Sequence, residues 1–174
     1  DNVAIGRNAL GASTTGCFNV AIGNLALGAA ATTGINNIAI GQTAADALTS
    51  GACNIALGIN AFGAATTASN NIAIGATALG GAATTGGCNI ALGTSALTAV
   101  TSGCCNTVLG SNAADALTSG HNNVALGTNA YGAGTTASNN IAIGQLAMGG
   151  GTVTGSTNIA IGLESLTTLV SGTH

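Results

Sequence analysis

The sequence predicts an all-β protein, a parallel β-solenoid (β-roll) of ten uncapped 17–18-residue rungs. An asparagine recurs at steps of seventeen or eighteen positions, and a glycine always follows it four positions later. Between them lie three mostly apolar residues, with an alanine at the centre in nine of the ten rungs. A repeat of this length corresponds to one turn of a β-solenoid and is too short for a pair of helices.

The repeat divides residues 1–174 into a single repeat array, with no visible linker or second domain. The asparagines that begin the rungs are Asn2, Asn19, Asn37, Asn54, Asn71, Asn89, Asn106, Asn123, Asn140 and Asn158. The glycines that follow them are Gly6, Gly23, Gly41, Gly58, Gly75, Gly93, Gly110, Gly127, Gly144 and Gly162. Residues 37–105 and 106–174 also resemble each other, which indicates duplication of a four-rung block.

A helical alternative conflicts with the glycine content, because each glycine costs about 1 kcal/mol in a helix interior. Ten rungs stacked about 4.8 Å apart would instead give a rod about 48 Å long.

Each position of the rung forms a column along the rod, because every rung stacks on the next. The second and fourth positions, Val3 and Ile5 in the first rung, carry β-branched residues or leucine. We expect these columns inside, and the alanines between them packed outward against another chain. The eighth position is almost always alanine and is expected inside. The ninth varies from Ala45 to Tyr131 and is expected outside, as an apolar stripe.

The repeated asparagines and glycines have structural explanations. We expect the asparagine side chains to form an amide ladder along the axis, and the glycines to occupy turns that need a positive φ. The threonine pairs, such as Thr32 and Thr33, are expected to border a last short strand. One threonine of each pair would then face outward and the other inward.

The charge excludes two classes of partner. The chain has one Lys or Arg residue and four Asp or Glu residues, with a net charge of −3. One cation cannot neutralise a nucleic-acid backbone or hold the chain on an anionic membrane surface. The apolar runs are also far shorter than the roughly 20 residues of a spanning helix. We predict no nucleic-acid partner and no membrane insertion.

No catalytic arrangement is visible in the sequence. Asp46, Asp115 and Glu164 fall on rungs that are three or more repeats apart, so no two of them can act together as general acid and base. Neither histidine lies beside an acid and a nucleophile in adjacent columns, and phosphate-binding glycine motifs are absent. We predict that the chain is not an enzyme and uses no cofactor.

The five cysteines all lie one or two positions before a column asparagine. Cys88 and Cys105 occupy the same place on consecutive rungs, so their Cα atoms should lie about 4.8 Å apart, a separation that suits a disulfide. Cys17 and Cys53 have no cysteine on an adjacent rung, and are either buried apolar side chains or inter-chain links.

A metal site at the same corner is the less favoured alternative. His121 follows Cys104 by one rung, so both could join Cys88 and Cys105 there. This spacing follows from the repeat period alone, and we favour a disulfide with a bystander imidazole.

The motifs NVAIG, NIAIG and NIALG, each followed by small residues, resemble the head repeats of trimeric autotransporter adhesins. The longer form in residues 19–34, NVAIGNLALGAAATTG, is similar to repeats of tail-fibre-like proteins, and the resemblance extends over essentially the whole chain. It implies a left-handed parallel β-roll, with three chains side by side on the outside of a cell or virion. The alanine column would then face the trimer axis. The membrane anchor, coiled-coil stalk and terminal domain of those families are not visible here.

We therefore expect a non-enzymatic extracellular fibre, structural or adhesive, on a cell surface, in a virion fibre or in a secreted filament. Its partners would be copies of itself, together with an unidentified surface receptor or glycan. Assembly would be lateral or end to end, since joining His174 to Asp1 of another copy gives an 18-residue step. The alternative is an ice-binding solenoid that uses its threonine columns, although adjacent threonines cannot form a double outward rank.

Overall fold

The computed structural model describes residues 1–168. Each rung contributes one three-residue strand, which begins directly after its asparagine. The strands are β1 (Val3–Ile5), β2 (Val20–Ile22), β3 (Ile38–Ile40), β4 (Ile55–Leu57), β5 (Ile72–Ile74), β6 (Ile90–Leu92), β7 (Thr107–Leu109), β8 (Val124–Leu126), β9 (Ile141–Ile143) and β10 (Ile159–Ile161). The expected end of the array and its junction from His174 to Asp1 lie outside the described residues.

The ten strands form one parallel sheet in chain order from β1 to β10. Equivalent residues pair across each junction, as Ile55 pairs with Ile72 and Ala56 with Ala73. Each strand contacts only the strand before it and the strand after it. The chain is an all-β parallel β-solenoid, which confirms the predicted fold class. No helix in residues 1–168 is long and apolar enough to cross a membrane.

The strands are short because the glycine after each one turns the chain. The ten turn glycines have φ values between 121° and 146°, where residues with a side chain are rarely found. At Gly58, an added Cβ would also lie 2.6 Å from the carbonyl oxygen of Gly75 on the next rung. Both the backbone conformation and the close stacking therefore require glycine at this position.

The two faces of each strand are reversed relative to the expectation from sequence. The central residue points into the coil and is at most 2% exposed from β2 to β10, whether it is alanine or Val108. The flanking Val, Ile, Leu and Thr side chains point outward, and none of them is buried. The prediction that these columns fill the core is wrong, because bulky side chains from the opposite wall already occupy the interior.

The opposite wall of the coil supplies the large core residues. The eighth-position alanines from Ala26 to Ala147 are buried, as expected. From Leu27 to Met148 the ninth-position side chains are buried too, including Phe62 and Tyr131, and Leu10 in the first rung is partly buried. The prediction of an outer stripe at this position is therefore wrong, although Leu166 in the last rung is 44% exposed.

Variation in size at the ninth position is compensated three residues later in the same rung. Ala45 is followed by the buried Leu48, whereas Phe62 is followed by the buried Ala65. A turn brings the two positions together, since the amide of Leu48 donates to the carbonyl of Ala45 at 3.1 Å. In these two rungs a large side chain at one position is matched by alanine at the other, which explains how a column of variable size can face inward.

The threonine pairs do not border a second strand, because within residues 1–168 each rung has only the strand that follows its asparagine. The inward and outward alternation does occur at Thr84 and Thr85. Thr84 is buried and its Oγ1 donates to the carbonyl of Val100 at 2.9 Å, while Thr85 is exposed. In the first rung, by contrast, Thr14 and Thr15 are both exposed.

Candidate functional site

One exposed feature is an apolar surface along all ten strands, here called the apolar face. It consists of the outward side chains at the second and fourth rung positions, which are Val, Ile or Leu except for Thr107. Exposed fractions reach 51% at Leu109 and 68% at Ile161. With rungs about 4.8 Å apart, the face is roughly 45 Å long. A continuous apolar surface of this extent is typical of an interaction site.

A second exposed feature is a column of hydroxyl groups, here called the hydroxyl rank. Its nine members are Thr15, Thr33, Ser50, Thr67, Thr85, Ser102, Ser119, Thr136 and Thr154, and all are exposed. The residue before each member is less exposed in most rungs, and at Thr49 its Oγ1 donates to the carbonyl of Thr66 at 2.9 Å. The column is not apparent from the threonine pairs alone, because serine replaces the outer threonine in three rungs. It becomes visible in the sequence when shorter and longer rungs are aligned at their ends rather than at their asparagines.

The column asparagines form an amide ladder inside the coil. The backbone N–H of Asn54 donates to Oδ1 of Asn37 at 3.0 Å, and its Nδ2 donates to the same oxygen at 3.0 Å. That Nδ2 also donates to the carbonyl of Ala68, 14 residues further along the same rung, at 2.9 Å. Within residues 1–168, no buried side-chain nitrogen or oxygen lacks a hydrogen bond. The ladder therefore holds the rungs together and presents no group to a ligand.

At Tyr131 one hydrogen bond of this ladder goes to the tyrosine hydroxyl instead of the preceding asparagine. The Nδ2 of Asn140 donates to Tyr131 Oη at 2.9 Å, and that hydroxyl donates to the carbonyl of Ala137 at 3.2 Å. Burial raises the pKa of Tyr131 to about 12, although the hydrogen bond from Asn140 acts in the opposite direction. An added Cβ on Gly134 would overlap the tyrosine ring, so this rung needs glycine there. The phenol is a core group and is not available for chemistry.

The cysteines are free thiols in the structure, and three of them form a group, here called the thiol cluster: Cys88, Cys104 and Cys105. Cys88 and Cys105 are the last residues of consecutive rungs, and Cys104 directly precedes Cys105. The pKa of the Cys105 thiol is raised, first by the neighbouring Cys104 side chain and then by desolvation, while Cys88 acts in the opposite direction. The predicted disulfide pair, Cys88 and Cys105, lies at the same place on neighbouring rungs, and both thiols are free in this structure.

The hydrogen-bond partner of His121 is Ser138, not a cysteine. Its backbone N–H donates to Ser138 Oγ at 3.0 Å, and its Nδ1 lies 3.2 Å from the same oxygen. Among the residues that the structure describes, no three His, Cys, Asp or Glu side chains are placed to hold a metal ion.

The acidic side chains remain separate, as their positions in the repeat require. Partial burial raises the pKa of Asp46, although hydrogen bonds from the backbone amides of Asp46 and Ala47 lower it. The duplicate position, Asp115, has a pKa raised by the same cause. No cleft is found in residues 1–168 that could hold a small substrate beside either carboxylate. The candidate functional features of this part of the chain are therefore its outer surfaces.

Comparison with protein-family models gives no match, and comparison with curated proteins and with solved structures gives none either. The fold and the repeat define the class: a parallel β-solenoid in which each turn of the coil is one sequence repeat.

Proposed function

We propose that the chain is a non-enzymatic extracellular fibre, structural or adhesive, that assembles side by side with copies of itself through the apolar face. The observation that carries this proposal is a sheet face along ten rungs whose outward side chains are nearly all Val, Ile or Leu, each of them exposed or partly exposed in the single chain. Burying that surface would release the free energy of transfer of apolar area from water, about 25 cal/mol per Å².

A second copy of the chain is the partner that fits this face best. Every copy repeats the same side-chain spacing along its axis, so ridges on one face can match grooves on another at every rung. No charged residue interrupts the second and fourth positions in any strand, and an uncharged interface core is typical of homo-oligomers. An unidentified receptor or glycan would then contact the outer surfaces that remain exposed.

The resemblance to trimeric autotransporter heads supports the same proposal, with one change. The alanine column faces the inside of its own coil and is buried there, so it cannot face a trimer axis. The apolar face takes that role, and lateral packing of three chains would cover it.

A charge placed on the apolar face tests the proposal. Leu109→Lys introduces an ammonium at a position that is 51% exposed in the single chain and that the proposed assembly would bury. Because a charge buried without a partner is strongly unfavourable, we expect the dissociation constant to rise at least about tenfold. Sedimentation equilibrium with the intact chain measures the mass, and electron microscopy shows whether rods or filaments form.

Ser111→Lys is the matched control, because it lies on the same rung, two residues away, at an exposed position outside the apolar face. It should assemble like the wild-type chain. A wild-type chain that stays monomeric at high concentration would overturn the proposal, and so would equal assembly of the Leu109→Lys variant. Circular dichroism of both variants checks that the coil is intact.

The hydroxyl rank favours a second function, ice binding. Nine exposed hydroxyl groups in one line, one per rung and about 4.8 Å apart, form a regular array that an ordered water layer could match. Only one such rank exists in residues 1–168, because the preceding residue of most rungs is turned toward the coil. Thermal hysteresis of the monomer, reduced by Thr67→Lys, would support this function, and its absence at high concentration would exclude it.

A further inference from the structure

We propose that the thiol cluster is a thiol–disulfide exchange site, which takes low-molecular-weight disulfides as substrates and closes a cross-rung bond between Cys88 and Cys105. This inference is independent of the proposed fibre function. It concerns a surface group of the single chain, and it holds for a monomer as well as for an assembly.

The backbone places these two cysteines side by side. The register that pairs Ile90 with Thr107 continues back through the asparagines, so Cys88 stacks on Cys105. Their φ values are 61° and 60°, and the amide of Cys105 donates to the carbonyl of Gly87 at 3.1 Å. Stacked residues of a parallel ladder lie about 4.8 Å apart, which falls within the 4.4–6.8 Å Cα separation of disulfides.

The sulfur atoms are also accessible. Cys88 and Cys105 are both exposed, and the paired backbones place their side chains on neighbouring rungs of one column. Closing the bond therefore requires a change of side-chain rotamer and no movement of the rungs. Cys104 is half-buried on the other side of Cys105. Its Cα lies about 3.8 Å from that of Cys105, below the separation that suits a disulfide, so we expect it to stay a thiol.

The exchange balances without any further reactant. The thiolate of Cys88 attacks one sulfur of the small disulfide, forms a mixed disulfide, and releases one small thiolate. The thiolate of Cys105 then attacks the Cys88 sulfur of that mixed disulfide, forms the cross-rung bond, and releases the second small thiolate. The two protein thiols are oxidised and supply two protons, and the small disulfide is reduced to two thiols.

Cys53 provides an internal control for this chemistry. It occupies the same column, is exposed, and has a φ of 59°, but its neighbours in the column are Asn36 and Asn70. It has the same local environment without a second sulfur beside it. Under oxidation we therefore expect Cys53 to stop at the mixed disulfide, because no neighbouring thiol displaces the small group.

The experiment equilibrates the intact, reduced chain with graded ratios of oxidised to reduced glutathione, and stops exchange with acid. Intact mass and peptic peptide mapping then identify each adduct and each bond. We expect a loss of two hydrogen atoms assigned to Cys88 and Cys105, and a glutathione adduct at Cys53. The cross-rung bond should form at an oxidised-to-reduced ratio at least about tenfold lower than the Cys53 adduct, because its second step is intramolecular.

Three variants separate the possible outcomes. Cys104→Ser and Cys53→Ser should keep the cross-rung bond, whereas Cys88→Ser should leave Cys105 carrying glutathione. Separate glutathione adducts on Cys88 and Cys105 of the wild-type chain would overturn the proposal. A dominant bond between Cys104 and Cys105, or between two chains, would overturn it as well.

Discussion

Three residues of every complete rung have a left-handed backbone: the seventh, the ninth and the one before the next asparagine. In the fourth rung these are Asn60, Phe62 and Asn70, with φ values of 55°, 55° and 62°. For residues other than glycine this conformation costs about 1–2 kcal/mol, and asparagine tolerates it best because its short amide bonds to the local backbone. The seventh position holds asparagine in four rungs and Leu, Thr, Ser or Glu in the other six. Those six rungs carry avoidable strain.

Thr43→Asn should relieve this strain in the third rung. Thr43 has a φ of 53°, and its hydroxyl bonds only to the neighbouring carbonyl of Gln42 at 2.7 Å. We expect the substitution to raise the free energy of unfolding by about 0.5–1 kcal/mol, since a β-branched residue is replaced by one that adopts this conformation readily. Thermal and urea unfolding measure the change.

The control is Thr94→Asn, which makes the same chemical change at an exposed position without a left-handed backbone. It should leave the stability within about 0.5 kcal/mol of the wild type. Equal stability of the two variants would show that the backbone conformation of Thr43 is not the source of strain.

Each rung is one complete layer of the core, in which a thin alanine wall faces a wall of larger side chains. Because the first wall is constant, the second must keep its volume, and it does so by pairing the ninth and twelfth positions in most of the shorter rungs. The longer rungs use a different device. There a residue at the fourteenth position, such as Thr32 or Val153, is fully buried. In the rungs with an extra residue, the side chain that fills the core therefore comes from the fourteenth position instead of the twelfth.

Leu48→Ala should open a cavity in the third rung, because Ala45 already leaves space at the ninth position. We expect a loss of about 2–5 kcal/mol in the free energy of unfolding. Adding Ala45→Phe should restore much of it, since the resulting pair reproduces Phe62 and Ala65 of the next rung. Urea unfolding of the single and double variants tests whether the volume moves between the two positions. A double variant no more stable than Leu48→Ala would contradict this compensation.

The individual rung also shows how much of the structure could be predicted from the sequence. The strand Ile38–Ile40 was predictable, because parallel pairing needs only backbone groups and a constant period. The orientation of the strand could not be predicted, because both of its faces are apolar and the alternation of Ile38, Ala39 and Ile40 does not say which face points inward. The constancy of the alanine column was the useful clue, since narrow interiors tolerate little change in volume. The neighbouring position of Cys88 and Cys105 followed from the period, whereas their left-handed backbone was not evident from the sequence.

The coil carries very few charges, so between about pH 3 and pH 7 its stability should depend on pH mainly through two partly buried carboxyls on separate rungs, Asp46 and Asp115. The pKa of each is raised above 3.8 by burial. The folded chain therefore holds these protons more tightly than the unfolded chain, and stability falls as pH rises from about 4 through the folded pKa. Above that range both carboxylates are charged in a partly desolvated site.

Asp46→Asn combined with Asp115→Asn should remove this loss of folding stability at higher pH. We expect the double variant to have a higher melting temperature than the wild type at pH 7 and an equal one near pH 3, where the native carboxyls are protonated in both states. Scanning calorimetry at both values measures the difference. Glu164→Gln, on an exposed side chain, is the control and should leave the melting temperature unchanged at either pH. A double variant that is stabilised equally at both pH values would point to packing as the cause.

Because each strand contacts only its two neighbours, the length of the coil depends only on the number of rungs. Loss or gain of whole rungs by recombination within the repetitive gene would leave every column in register, since each surviving rung meets the same kind of neighbour. One further copy of the four-rung block would lengthen the rod by about 19 Å without a new interface having to evolve. The length of the coil is thus inherited as a number of repeats, and it can change in a single genetic event while the cross-section of the coil stays the same.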